Sequence, residues 1–224
     1  MGDRYMSRQL TSGVLGRKDH INALRFNIDV SNQDVLIASN SHLNARAVSF
    51  WFKVDVLSGR VGLLSGIFPD RLIIFRSGGG GIGWSNQSLT DGKNGIPVLA
   101  ESFVWNHLVC INGVNDLPLR AYFNNELYDY SDLVSDSGWR SDLNISMAGV
   151  TCNLPLKGSI TSVNVFDREI TAGEVDSLYK KKNTLITDGL IARWDFSEGQ
   201  GNTLGDYNNI YNGTIRNNPE WIKV

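Results

Sequence analysis

The chain has 224 residues, 42% hydrophobic and 20% charged, with a formal net charge of −2. That balance fits a globular domain with a core of its own. It offers no positive field for nucleic acid, and no apolar run reaches the roughly 20 residues of a helical membrane span. The opening stretch, MGDRYMSRQLTSGVLGRKDH, has no apolar run of signal-peptide type and, beyond Gly2 and Ser7, little of a myristoylation signal. Synthesis in a cytosol without a leader or lipid anchor is therefore expected.

In chain order, residues 1–21 read as a polar N-terminal arm carrying Arg4, Arg8, Arg17 and Lys18. A free tail of this kind would be disordered, so the arm is expected to grip a neighbouring subunit. Val48, Phe50, Phe52 and Val54 alternate with Ser49, Trp51, Lys53 and Asp55, a period of two that predicts a strand with one face on a core. Leu63–Ile67 and Arg71–Phe75 predict two more strands, separated by a turn at Pro69-Asp70. The Gly-rich run SGGGGIGW (Ser77 to Trp84) lacks the G-K-[ST] ending of a phosphate loop and reads as a turn between strands.

Trp105–Ile111 predicts a strand, with Cys110 as a buried free thiol and no disulfide to Cys152. Leu119, Ala121 and Phe123 alternate up to Asn124-Asn125, a pair suited to a tight hairpin, and Leu127-Tyr128 begins the return. Strands over Ser141–Ala148 and Ser159–Phe166 follow. Thr171-Ala172-Gly173-Glu174 is a capping box, and Val175, Leu178 and Tyr179 make the apolar face of one short helix ending in Lys180–Lys182. So short a helix is expected to cap an edge or open end. Many strands, polar turns and one helix predict an all-β antiparallel sandwich.

The order of these pieces resembles a laminin-G-like domain of the concanavalin-A-like lectin and glucanase superfamily, which implies a jelly-roll β-sandwich. The likeness runs through Leu24, Phe26, Val35, Leu43, Phe50, Trp51 and Phe52, then Trp105 and His107, then LRAYFNNEL. It is closest over Gly158–Tyr179, where Asp167, Arg168, Ile170, Thr171, Glu174, Val175, Leu178 and Tyr179 fall in register, and in all it covers roughly residues 22–182. Residues 190–221 resemble the family's first segment, through Leu190, Trp194, Phe196, Glu198, Gly199, Gly201, Asp206, Asn212, Gly213, Thr214 and Trp221. Here that segment comes last. It is either a permuted or docked closing segment (188–224) of one domain spanning 22–224, or the start of a truncated repeat. Thirty-odd residues are too few to bury a core alone, which favours the first reading.

Catalysis is not expected. The superfamily's glucanases use an E-x-D-x-x-E strand. The one E-x-D here, Glu174-Val175-Asp176, lies on the helix, which cannot aim both carboxylates the same way. His107 reads as a satisfied strand histidine. Trp84 with Asn86 is a candidate sugar-binding pair, an aromatic platform beside an amide. The resemblance leaves calcium open without a matched site; Asp206, Asn208 and Asn209 are oxygen-rich, but the family uses this Asp for a turn. The sequons at Asn86, Asn144 and Asn212 carry little weight.

The sequence reading is thus a non-catalytic binding or structural sandwich. The resemblance and the arm imply a virion surface, decoration or tail-fibre component, made in a host cytoplasm. Its partners would be other structural proteins or copies of itself, with host adhesion and glycan contact possible. The alternative is a lectin-like module that recognises glycans, located extracellularly or on a surface.

Overall fold

The computed structural model describes residues 21–27, 30, 33–37, 43, 45–55, 60–65, 72–76, 81–85, 95–96, 102–111, 118–134, 143–145 and 156–224. Its strands are β1 (Asn22–Phe26), β2 (Asp34–Ile37), β3 (Ala47–Val54), β4 (Arg60–Ser65), β5 (Leu72–Arg76), β6 (Gly81–Ser85), β7 (Gly95–Ile96) and β8 (Trp105–Ile111). They continue as β9 (Pro118–Phe123), β10 (Glu126–Val134), β11 (Leu143–Ile145) and β12 (Gly158–Phe166). After helix α1 (Ala172–Lys180) come β13 (Leu190–Trp194), β14 (Thr203–Leu204), β15 (Gly213–Arg216) and β16 (Glu220–Lys223).

Two antiparallel sheets result. The first runs β10-β9-β8-β3-β12-β1-β16, with β13 also paired to β12; the second runs β14-β15-β2-β11-β4-β5-β6-β7. Between them lie the inward residues that the period-two pattern of β3 predicts. Val48, Phe50, Phe52 and Val54 join Leu24, Phe26, Val35, Leu63, Leu108, Ile160 and Val163 in one cluster. Trp194 and Phe196, fully buried, belong to that same cluster. Residues 188–224 supply strands to both sheets: β13 on β12, β16 on β1 and β15 on β2. Arg216 on β15 donates to Asp34 on β2 through both Nε and Nη2, pinning that pair.

The helix does not sit at an edge or open end. It lies on the outer face of the first sheet, where Val175 and Leu178 pack with Ala47, Val109, Ile111, Tyr122 and Phe166. The outward residues of β3, β8 and β12 are themselves apolar here, so this face needs a cover. Thr171 is the N-cap of a complete capping box with Glu174. Arg168 grips the Glu174 carboxylate at 2.5 and 3.0 Å, which holds that carboxyl down at about 2, helped by hydrogen bonds from Thr171. Asp176 pairs with Lys180 and accepts from Asn125, so both acids of the E-x-D motif have structural partners.

The Asn124-Asn125 turn has φ of 50° and 72°, the left-handed pair of a two-residue hairpin. The Gly-rich run is not all turn. Gly81–Ser85 is β6, paired with β5 from Arg76↔Gly81 to Leu72↔Ser85. Alternating Gly residues hid the period-two signal there. Cys110 is buried and free, and burial raises its thiol pKa far above the usual range. No described helix is long and apolar enough to cross a membrane.

β12 allows little variation. A Cβ on Gly158 would stand 2.0 Å from the Lys53 carbonyl oxygen. Gly158→Ala must push β12 off β3, and a loss of about 1–3 kcal/mol is expected from urea unfolding midpoints. A chain ending at residue 187 loses Trp194 and Phe196 from the core and uncovers β1 and β2. It is expected to lose its near-ultraviolet circular dichroism and to be cut rapidly by protease.

Candidate functional site

β1 ends at Phe26 and β3 at Val54, while β12 and β16 begin at Gly158 and Glu220. Antiparallel pairing brings these four strand ends together on one rim of the first sheet. The rim holds an open pocket of about 460 Å³, within the usual size range for small-ligand sites. Arg25, Gln33, Asp55, Lys157, Asn218 and Glu220 supply most of its polar lining, and exposed Val30 adds an apolar patch.

Asp55 is the anchor. Its side chain is 4% exposed, and Arg25 binds Oδ2 through Nη2 at 2.8 Å and Nε at 3.2 Å. A buried carboxylate is tolerated only with such a charged donor. The Asp55 N–H donates to the Lys157 carbonyl at 2.8 Å, which fixes Lys157 beside it. Arg25 also lies 4.0 Å from Glu220. Gln33, 5% exposed, closes the opposite wall. Its Nε2 donates to the carbonyls of Asn217 and Asn218, both at 3.0 Å, and its Oε1 accepts from the Asn27 N–H at 2.6 Å. Asn217 and Asn218 have φ of 57° and 53°, a conformation asparagine tolerates better than most residues. The pocket thus brings together two carboxylates, two cations and the amides of Gln33 and Asn218 on a fixed frame.

Behind the rim, on the outer face, Trp51 stacks on Tyr179 of α1 (5.7 Å, 8°) and on His107 (5.1 Å, 30°). His107 is buried and only half satisfied. Nε2 meets the Ser49 hydroxyl at 2.9 Å, while Nδ1 has no partner among the described residues. Burial lowers its pKa from 6.5 to about 3. Trp51 Nε1 is likewise buried without a partner among the described residues.

The pocket residues are not those singled out in the sequence. Trp84 lies in β6, but nothing is described of its side chain, and Asn86 lies outside the described residues. Arg4, Arg8, Arg17 and Lys18 also lie outside them. Asp206 does not fit a calcium ligand: Oδ1 accepts from the Arg193 N–H, and Oδ2 from those of Ile210 and Tyr211. Those amides take the oxygens a cation would need. No group of three or more His, Cys, Asp or Glu side chains able to hold a metal occurs among the described residues. Buried Gln33 and Asp55 carried the one usable sequence signal, polar residues beside strands whose neighbours are core.

No protein-family model and no curated protein sequence matches the chain. Solved structures do. A candidate carbohydrate-binding protein from Bacteroides ovatus is similar at a TM-score of 0.66 and 16% identity, covering 92% of this chain and 60% of that one. The native heptameric SAP-like pentraxin from Limulus polyphemus is similar at 0.58 and 12%, covering 79% of this chain and 88% of that one. The chain therefore spans about 60% of the length of the Bacteroides protein. The fold is the concanavalin-A-like jelly-roll sandwich.

Because folded His107 refuses a proton that the unfolded chain accepts near 6.5, its contribution to stability is complete above that pH and declines below it. Between pH 6.5 and about 5, unfolding free energy is expected to fall by up to about 1.4 kcal/mol per pH unit from this group. Urea titrations at stepped pH should show that slope reduced in His107→Leu.

Proposed function

We propose that this chain is a non-catalytic carbohydrate-binding module whose ligand seats in the Arg25–Asp55 pocket. The pocket itself carries the reading. Sugar hydroxyls both donate and accept, and a rigid set of carboxylate, guanidinium, ammonium and amide groups meets both needs. Asp55, tied by two bonds to Arg25, serves as a fixed acceptor. The likeness in fold to the Bacteroides protein, described as a candidate carbohydrate binder, supports the same reading. Of the two functions left open by the sequence, the lectin-like one is favoured. The virion reading leaned on the arm, and neither comparison structure is described as a virion protein.

We further read the domain as laminin-G-like, with the usual first segment carried at the end of the chain. The pairing of β13, β15 and β16 with β12, β2 and β1 supports that order of assembly.

A glycan array with the purified chain tests the function. Selective binding is expected, with affinity reduced about thirtyfold or more in the N218A/K157A double variant, the loss of roughly one charged and one neutral hydrogen bond. Full affinity in the double variant would put the ligand elsewhere. Release of reducing ends from any bound glycan would replace the binding reading with an enzymatic one.

A further inference from the structure

The rim continues beyond the pocket. Residues opposite one another on neighbouring strands point to the same face. Register links Glu220 to Arg25, Arg25 to Ser159, Ser159 to Lys53 and Lys53 to Trp105. These five side chains form one row across the outer face of the first sheet, roughly 19 Å long at the usual strand spacing of about 4.8 Å.

The two ends of the row differ in charge. At the pocket end, Arg25 faces Asp55 and Glu220. At the other end, Lys53 Nζ lies 5.4 Å from the centroid of the Trp105 ring and Lys182 Nζ lies 5.0 Å from it. Lys182 is also 4.7 Å from the Trp51 ring. Neither lysine has a carboxylate in ion-pair range among the described residues. A ring face attracts an ammonium but accepts no conventional hydrogen bond from it, so the N–H donors are left to a ligand. Burial already weakens the hold of Lys182 on its proton, a cost that a bound anion would offset. Between the two ends, the Ser159 hydroxyl is buried and unpartnered among the described residues.

Lys182 is held there by the fold. The Ser162 hydroxyl, at a bulge in β12 where φ is 52°, donates to the Lys182 carbonyl. Phe103 adds an aromatic surface to the same end. It is 66% exposed, yet it sits at φ 63°, a region that bulky residues avoid, held by its N–H on the Val54 carbonyl at 2.8 Å. A strained backbone that keeps an aromatic ring in water points to a contact made by that ring.

The geometry points to an acidic oligosaccharide as the ligand, lying along this row from the pocket to Phe103 with a carboxylate or sulfate between Lys53 and Lys182. The inference rests on the glycan-binding reading and adds to it the ligand class and a second contact region. Hydroxyls of one sugar meet the charge-balanced pocket, and the acidic group of another meets the two lysines.

An array carrying neutral, carboxylated and sulfated glycans, followed by titration of the best binder, decides it. Acidic glycans are expected to dominate. Affinity should fall roughly tenfold or more in K53Q/K182Q, and equally when the bound glycan is carboxyl-reduced or desulfated. Phe103→Gly should weaken binding while leaving the unfolding temperature unchanged or higher, since glycine accepts that φ. A purely structural Phe103 would give the reverse. Equal binding of neutral and acidic glycans, or an unaffected lysine double variant, would overturn the acidic ligand and leave the module reading intact. No binding to any glycan would overturn both.

Discussion

β12 is the constraint on which the rest depends. All nine of its residues are buried. It bonds to β3 along one edge and to β1 and then β13 along the other, so both its edges and both its faces are committed. A strand closed in this way cannot slip, because a shift of one residue would turn its core side chains outward. Two local irregularities are therefore preserved within it. Gly158 lets β3 approach closely enough to fix Lys53, and the bulge at Ser162 reaches out to the chain leaving α1. The first sheet, the helix that covers it and the rim above it are all set from this one strand.

The rim is polar for a related reason. Where strands end, carbonyls and N–H groups lose their ladder partners and side chains must replace them. Gln33 does so across a sequence separation of 185 residues, tying the segment after β1 to the turn before β16. Arg25 and Asp55 add a side-chain ion pair across 30 residues. Each such bond joins parts of the chain that local preference alone would leave independent. The groups are held in place before any ligand arrives, and little ordering entropy remains for binding to lose.

Much of the fold was readable from local pattern. The alternation in β3, the capping box at Thr171 and the Asn124-Asn125 turn are short-range signals, and the observed elements follow them closely. The position of α1 was not readable. It depends on the outward residues of β3, β8 and β12, whose adjacency exists only once the strands have paired. β6 was hidden because Gly81 and Gly83 have no side chains to alternate. The pocket was hidden by distance: Arg25, Gln33, Asp55, Lys157 and Asn218 come from five separated segments, and none forms a motif alone. His107 was read as satisfied from its place in a strand, but one ring nitrogen met Ser49 and the other met nothing described.

The first and last described strands lie side by side, Asn22 opposite Lys223, and the Val224 N–H donates to the Ile21 carbonyl at 2.8 Å. Both flanks of the sandwich thus leave from one corner. That corner is at the start of β1, whereas the pocket is at its end, roughly 15 Å away along a strand of five residues. A support joined at either flank would stand behind the domain with the rim facing outward. Tethering by one end, the other or both would leave the same surface free, so the orientation of the site is indifferent to the direction from which the domain is carried.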